Sequence, residues 1–320
     1  MSAAPGEWSR SSAVRELIVI VGATGTGKSE CALSVAERIE QIGGRAEIIN
    51  ADAMQLYRGM NIGTAKLSPA ERRGITHHLL DVLDVTEDAS VAWYQPRARA
   101  LVEEITARGA VPILVGGSGL YVSSVIYDFA FPPRDPTVRA RLENELNERG
   151  PGWLHARLRT VQPHTADRID PANGRRIVRA LEVFELSGQG HGGALPVRPT
   201  AWREARLIGL HTPRGELTAR LDARVERMWA RGMLEEVASL IPAGLESGGT
   251  ASRAIGYAQA LLQLHGELSQ ADAISQTQQL TRRYARRQVS WFKRYADLVW
   301  FDSADPGLVD GVITALTIRP

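Results

Sequence analysis

Residues 22–29 read Gly22-Ala23-Thr24-Gly25-Thr26-Gly27-Lys28-Ser29, the spacing G-x-x-x-x-G-K-[ST] of a loop that wraps phosphate groups. Successive backbone N–H groups and the positive end of a following helix can hold an anion there. Lys28 adds a compact mobile cation, and the Ser29 hydroxyl is suited to ligate a metal riding on the phosphates. Alone, such a loop suggests ATP or GTP. A second chemical candidate is Asp52, just past the apolar run Ala46 to Asn50. In open α/β sheets ligands bind beside the carboxyl ends of strands, so an acid there can be a catalytic residue or a metal ligand. A loop aspartate capping a turn would look the same.

The elements needed to position these groups are legible around them. Ile18 to Val21 is a short apolar run leading into the loop, and it reads as a buried strand. Glu30 to Glu40 carries Cys31, Ala32, Val35, Ala36 and Ile39 at helical spacing, so the loop lies between a strand and a helix N-terminus. Ala46 to Asn50 and Val111 to Val115 read as further buried strands, with an amphipathic helix from Ser90 to Arg108 between them. The second of these strands ends in Gly116-Gly117-Ser118-Gly119, another glycine turn at a carboxyl end. His77 to Val82 reads as a short strand, in which adjacent histidines point to opposite faces and make a poor metal pair. The alternation predicts a parallel sheet wound with helices.

From about Tyr127 the pattern becomes helical. Asp135 and Pro136 form a helix start; helices are expected over Thr137 to Glu148, Trp153 to Thr160 and Arg175 to Ser187, followed by a glycine linker from Gly188 to Gly193. Arg175, Arg176 and Arg179 on the last of these are either solvated surface charge or phosphate contacts. The α/β pattern resumes with a strand over Arg206 to Leu210 and helices over Arg214 to Ala230, Ser252 to Leu264 and Ala271 to Tyr295; Leu298 to Phe301 is the last expected strand. The final long helix interleaves Arg282, Arg283, Arg286, Arg287, Lys293 and Arg294 with Tyr284, Trp291, Phe292 and Tyr295. That pattern fits either a nucleic-acid grip or a solvated face backed by aromatic core. The expected organisation is a loose tail at 1–16, an α/β core at 17–126 and 201–320, and an inserted helical domain at 127–200.

Composition narrows the class without naming it. The chain has 320 residues, is 44% hydrophobic and 23% charged, and carries a formal charge of only +2. This is the profile of an ordinary globular protein, so overall charge alone does not announce a nucleic-acid binder. No apolar run approaches the length of a membrane span, and Met1 to Arg10 has no signal-like segment; a cytoplasmic location is expected. The single cysteine, Cys31, rules out an internal disulfide or a Cys-rich zinc site. Among 38 lysines and arginines only Lys28, Lys66 and Lys293 are lysines, most simply a mark of GC-rich coding.

Six segments together resemble the tRNA dimethylallyltransferase family: GATGTGKS at 22–29, NADAMQLYRGMNIGTAK at 50–66, HHLLDVLD at 77–84, LVGGSGLYV at 114–122, RRIVRALEV at 175–183 and SRAIGYAQ at 252–259. They keep the family's order and cover most of the chain from Leu17 onward. The resemblance implies a P-loop NTPase-like parallel sheet with an inserted helical domain, in a short bacterial form lacking a C-terminal zinc finger; a monomer is expected, although no motif bears on oligomeric state. It implies transfer of a dimethylallyl group from dimethylallyl diphosphate to N6 of the adenosine beside the tRNA anticodon. Asp52 is then the base. The loop from Gly22 to Ser29, with a Ser29-held Mg²⁺, stabilises the departing diphosphate, and Lys28, Arg214 and Arg220 supply charge. Positions matching tRNA contacts are Asp52, Ala53, Met54, Gln55, Ser118, Arg139, Arg175, Arg176, Arg179, Arg253, Gly256 and Tyr257. Ser118 stands where a threonine is usual, and Ala258 where some members have arginine. Other readings are an adenylate isopentenyltransferase using free AMP, ADP or ATP, a P-loop nucleotide or metabolite kinase, or a non-catalytic RNA-binding protein with a relic loop. The helical insertion and the basic-aromatic helix argue against the first, because a mononucleotide needs no such arm.

Overall fold

The computed structural model describes residues 16–129, 131–132, 134–188 and 199–317. Residues 1–15 of the expected tail and 189–193 of the expected linker lie outside them. Strands β1 (Leu17–Gly22), β2 (Ala46–Asn50), β3 (His77–His78), β4 (Val111–Gly116), β5 (Ala205–His211) and β6 (Val299–Asp302) form one sheet in the order β3-β2-β4-β1-β5-β6. Every pairing is parallel, with Val19 opposite Leu114 on one side and Leu207 on the other. β1 and β4 are buried at every position, which is why both read as unbroken apolar runs rather than alternating ones. Helix α1 (Lys28–Gln41) packs Cys31, Val35 and Ile39 against the sheet beside α11 (Leu308–Thr317). Burial raises the Cys31 thiol to about 11, so it acts as a small apolar side chain.

The chain separates into two compact units, 1–126 with 202–320, and 127–201. The second unit is helical. α4 (Pro136–Val161) is two helices joined at Gly150, where φ is 78° and Pro151 follows; this is the interruption the sequence placed between Glu148 and Trp153. α4, α5 (Pro163–Ala166) and α6 (Gly174–Ser187) bury a small core of Leu142, Leu154, Leu158, Ile177 and Leu181. The Asp135 carboxylate caps α4 by accepting from Thr137 N and Val138 N at 2.8 and 2.9 Å, as its place before Pro136 predicted.

In the first unit, α2 (Val91–Ala107), α3 (Gly119–Ile126), α7 (Arg214–Ala230), α8 (Met233–Leu240), α9 (Tyr257–Leu264) and α10 (Gln270–Phe292) complete the layers. Three expectations change. The strand at His77 stops after His78, because Leu79 and Asp81 adopt left-handed backbone at φ 58° and 55°. The helix expected from Ser252 is a short 3₁₀ turn at Ala251–Arg253, broken at Gly256 with φ 92° before α9 begins. The glycine turn after β4 continues directly into α3, a helix not anticipated; nor were α8 and α11. Among the described residues no helix is long and apolar enough to cross a membrane.

Candidate active site

The loop between β1 and α1 is held by its own atoms. Thr26 Oγ1 and Lys28 Nζ both donate to Ala23 O, at 2.9 and 2.7 Å. Gly27 caps α1 in left-handed backbone at φ 79°, where a side chain would be strained. The Lys28 ammonium is thereby folded back into the protein. Burial depresses its pKa to about 8; Asp52 opposes that shift and Arg224 adds to it. A desolvated cation that hydrogen-bonds a carbonyl and feels Asp52 only through space is an arrangement an anionic ligand would relieve.

Asp52 follows β2, and its backbone N–H donates to Asn50 Oδ1 at 3.0 Å while its own Oδ1 accepts from Met54 N at 3.0 Å. Asn50 Nδ2 donates to Leu79 O at 2.9 Å, which accounts for the bend that ends β3 and ties this loop to its neighbour. The carboxylate lies on the wall of a cavity of about 290 Å³. Thr24, Asp52, Ala53, Met54 and Ser118 line one side of it. Leu221, Arg224, Val225 and Met228 of α7 line another, with Arg253, Ile255 and Tyr257 nearby; Thr277, Thr281, Tyr284 and Arg287 of α10 close it. Polar groups thus cluster at the loop end, and aliphatic side chains from α7 face them.

The residues singled out in the sequence do not all meet in one place. Thr24, Asp52, Ala53, Met54, Ser118, Arg253 and Tyr257 meet at this cavity, and Lys28 approaches it electrostatically through Asp52. Gln55 and Ser29 do not: they line a separate cavity of about 30 Å³ with Asn50 and His77, and Gln55 Nε2 donates to Thr64 O at 3.1 Å. Gly256 shapes the turn before α9, where its N–H donates to Gln259 Oε1 at 2.9 Å. Arg139, Arg175, Arg176 and Arg179 belong to the helical unit. There Arg139 and Arg179 share the fully buried Glu182 carboxylate, at 3.4 and 2.8 Å.

Arg214 and Arg220, expected to face the diphosphate, lie on the exposed side of α7, and Arg220 pairs with Glu216 at 3.6 Å. Leu217, Leu221 and Val225 set the buried face of that helix; Arg224 borders it, and Arg220 lies further round. Arg224 is therefore the cation that reaches inward. Its Nη1 donates to Thr24 Oγ1 at 3.1 Å and its Nη2 to Thr64 O at 3.5 Å, while its Nε is buried with no partner. Burial lowers its proton affinity, and Asp52 partly restores it.

Two more contributors come from α10. Gln288 is 3% exposed and bridges Thr24 N and Gly117 O. Tyr284 OH lies 3.5 Å from Ser118 Oγ, itself within 3.3 Å of Ala53 N; burial, with the Asp52 charge, raises the phenol to about 12. Glu236 on α8 gathers Asn61 N, Ile62 N and the Tyr257 hydroxyl at 3.1, 2.7 and 2.5 Å, fixing the loop that supplies Gly63 and Thr64 to the cavity wall.

Among the described residues no cluster of three or more His, Cys, Asp or Glu could cage a metal. Ser29 is exposed on the first turn of α1. That donor set suits a cation held chiefly by phosphate oxygens and water, such as Mg²⁺, rather than a resident protein-caged ion.

The family model described as IPP transferase matches residues 55–295. A tRNA dimethylallyltransferase from Clavibacter sepedonicus is 58% identical over 94% of this chain and 97% of its own length. One from Leifsonia xyli subsp. xyli is 62% identical over 82% of this chain and all of its own length. Among solved structures, the tRNA isopentenylpyrophosphate transferase of Bacillus halodurans superposes with a TM-score of 0.68 at 35% identity, covering 94% of this chain and 97% of that one. A eukaryotic dimethylallyltransferase acting on tRNA gives 0.74 at 26% identity, over 95% of this chain and 78% of that one. With the phosphate loop, the parallel sheet and these matches in place, the chain belongs to the IPP transferase family.

Proposed function

We propose that the protein transfers a dimethylallyl group from dimethylallyl diphosphate to N6 of the adenosine next to a tRNA anticodon, acting as a cytoplasmic monomer. The observation that carries this reading is that Asp52, Arg224 and Thr24 of the phosphate loop share one cavity, whose α7 wall also carries the aliphatic Leu221, Val225 and Met228. The aliphatic wall of Leu221, Val225 and Met228 fits a five-carbon chain better than a nucleoside triphosphate.

An adenine amino group is a weak nucleophile because its lone pair is delocalised into the ring. Asp52 takes the N6 proton as that lone pair forms the new N–C bond. The allylic C–O bond breaks, and its electron pair leaves with diphosphate. The charge that builds on the leaving group meets Lys28, Arg224 and the N–H groups of the loop, a preorganised set in a partly desolvated site. Mg²⁺ carried on the diphosphate would supply Lewis-acid stabilisation of the leaving group, with the Ser29 hydroxyl at the start of α1 as the protein group that would hold it. Here the loop stabilises a leaving group; in a kinase it would orient a phosphoryl group for transfer.

The adenosine must leave its stack to enter the cavity, and Ser118, Arg253 and Tyr257, which line it, would receive the base. The outer face of α10 and the turn just past it supply a track for the RNA backbone: Arg283, Arg286 and Arg287, then Lys293 and Arg294, are exposed, and none pairs with a carboxylate among the described residues. Arg287 also lines the cavity. The helical unit, with Arg175 and Arg176 exposed on the first turn of α6, is read as the arm that grips the anticodon stem.

The test is incubation of unmodified tRNA with dimethylallyl diphosphate and Mg²⁺, followed by nucleoside analysis. Isopentenyladenosine at the anticodon-adjacent position is expected. Phosphorylated product from ATP, or isopentenyl-AMP from free AMP with unmodified tRNA, would replace the reading with one of its rivals.

A further inference from the structure

Gln288 joins two parts of the cavity that are far apart in sequence. Its Oε1 accepts from Thr24 N in the phosphate loop at 2.8 Å, and its Nε2 donates to Gly117 O in the turn after β4 at 2.9 Å. One partner is a donor and the other an acceptor, so only one orientation of the amide satisfies both. The contact is close on every side. A Cβ at Gly117 would overlap Gln288 Nε2 and crowd Gly22 O, so glycine is required there to admit the amide. One turn earlier on α10, the Tyr284 hydroxyl lies 3.5 Å from Ser118 Oγ.

Gln288 is also out of place for its surroundings. It lies on the inward face of α10 between Ala285 and Phe292, both buried, where an aliphatic residue would serve packing as well. Thr24 is held from a third direction by Arg224. The loop that cradles the leaving group and the turn that presents Ser118 to the acceptor base are therefore tied to each other through one side-chain amide.

We propose that Gln288 is a positioning residue for the transfer: it fixes the register between the diphosphate-holding loop and the acceptor-side turn, so that C1 of the prenyl group and N6 of the base meet in line. This rests on the prenyl-transfer reading above. Because correct register is needed only when both substrates are bound, losing it lowers kcat more than it raises either KM.

Two variants test this beside the unaltered protein. Gln288→Met keeps the volume and removes both hydrogen bonds. It is expected to fold, to lower kcat about 10- to 100-fold, and to move the KM for either substrate by less than about threefold. Gln288→Glu can imitate the amide only when protonated, with its O–H donating to Gly117 O. Its kcat relative to the unaltered protein should therefore rise as pH falls, a signature that altered packing alone would not give. Inorganic diphosphate affinity, measured by calorimetry, should stay within threefold in Gln288→Met. Unaltered kcat in a folded Gln288→Met, or a Gln288→Glu profile parallel to the unaltered protein, would overturn the assignment. Absence of transfer by the unaltered protein would instead overturn the functional reading.

Discussion

Replacing Arg224 tests the electrostatics of the site most directly, because its roles in stability and in catalysis pull in opposite directions. The guanidinium makes two neutral hydrogen bonds, to Thr24 Oγ1 and Thr64 O, and leaves Nε without a partner. No carboxylate touches it; Asp52 acts on it only through space. Two unit charges about 4 Å apart at an effective dielectric of about 20 interact by about 4 kcal/mol. Removing one donor from a preorganised anion-stabilising set typically costs about 10²–10³ in kcat, about 2.7–4 kcal/mol, so the two routes agree. Arg224→Met is thus expected to lower kcat/KM for dimethylallyl diphosphate by about 10²–10³. The same change removes a buried cation whose desolvation is poorly offset, so the melting temperature of the ligand-free protein should hold or rise. Arg224→Lys, which keeps a charge but loses the fork, should recover part of the activity. Steady-state kinetics and a thermal melt suffice. A loss below about fivefold, or a lower melting temperature accompanying full loss of activity, would refute the argument that this cation is kept for the leaving group.

Other expectations follow from the same geometry. Asp52→Asn should lower kcat by about 10²–10⁴ with tRNA affinity in a filter-binding assay little changed; near-normal turnover would remove Asp52 as the base. Lys28 titrates near 8 in the fold against 10.5 unfolded, so diphosphate affinity of the free protein should weaken as pH rises through 8. Over the window from 8 to 10.5 the unfolded chain binds more protons, and stability should gain from this group as pH rises; Lys28→Met should flatten both trends. Glu47, clamped by Arg108 and by His78 at 2.6 Å, is held down to about 2. Its contribution is present above its unfolded value of 4.5 and is lost as pH falls toward 2, so Glu47→Gln should make acid unfolding between those values less steep. Arg286→Ala with Arg287→Ala should weaken tRNA binding and flatten its salt dependence by about 0.7–0.9 in log–log slope per cation removed, whereas an unchanged slope would move the RNA off α10.

Legibility in the sequence followed the range of the interactions. The phosphate loop, α1 and the buried strands could be read because strand, turn and helix signals lie within a few residues of one another. Asp52 could be placed because a strand end and a ligand crevice coincide in open α/β sheets. Arg224, Gln288 and Tyr284 could not, because each acts through a partner 200, 264 or 166 residues away. A local trace of Gln288 does exist: a polar amide on a buried stripe with Ala273, Thr277, Ala285 and Phe292, the kind of buried polar residue that needs a partner. Arg214 and Arg220 match the family pattern in sequence, yet turn outward on α7; the buried face set by Leu217 and Leu221 favours Arg224. Leu79 and Asp81 ended the expected strand by left-handed backbone, which aspartate tolerates but leucine does not signal, and tertiary hydrogen bonds from Asn50 and Lys66 sustain it.

The two buried cations also explain why this phosphate loop needs so many supports from outside itself. Lys28 spends its hydrogen bond on Ala23 O, inside its own loop, and Arg224 spends one on Thr24. Each thereby stiffens the loop while remaining short of counter-charge. A loop carrying that much uncompensated positive charge would relax outward toward water if it were free to move. Gln288 holds it from the sheet side, Leu217 and Leu221 pack against Ala23, and the Ser118 turn is fixed to the same amide. On the proposed reading a bound diphosphate would complete that charge balance, meeting donors that α7 and α10 already hold in place. This is why residues from the last hundred positions of the chain control a loop formed by its first thirty.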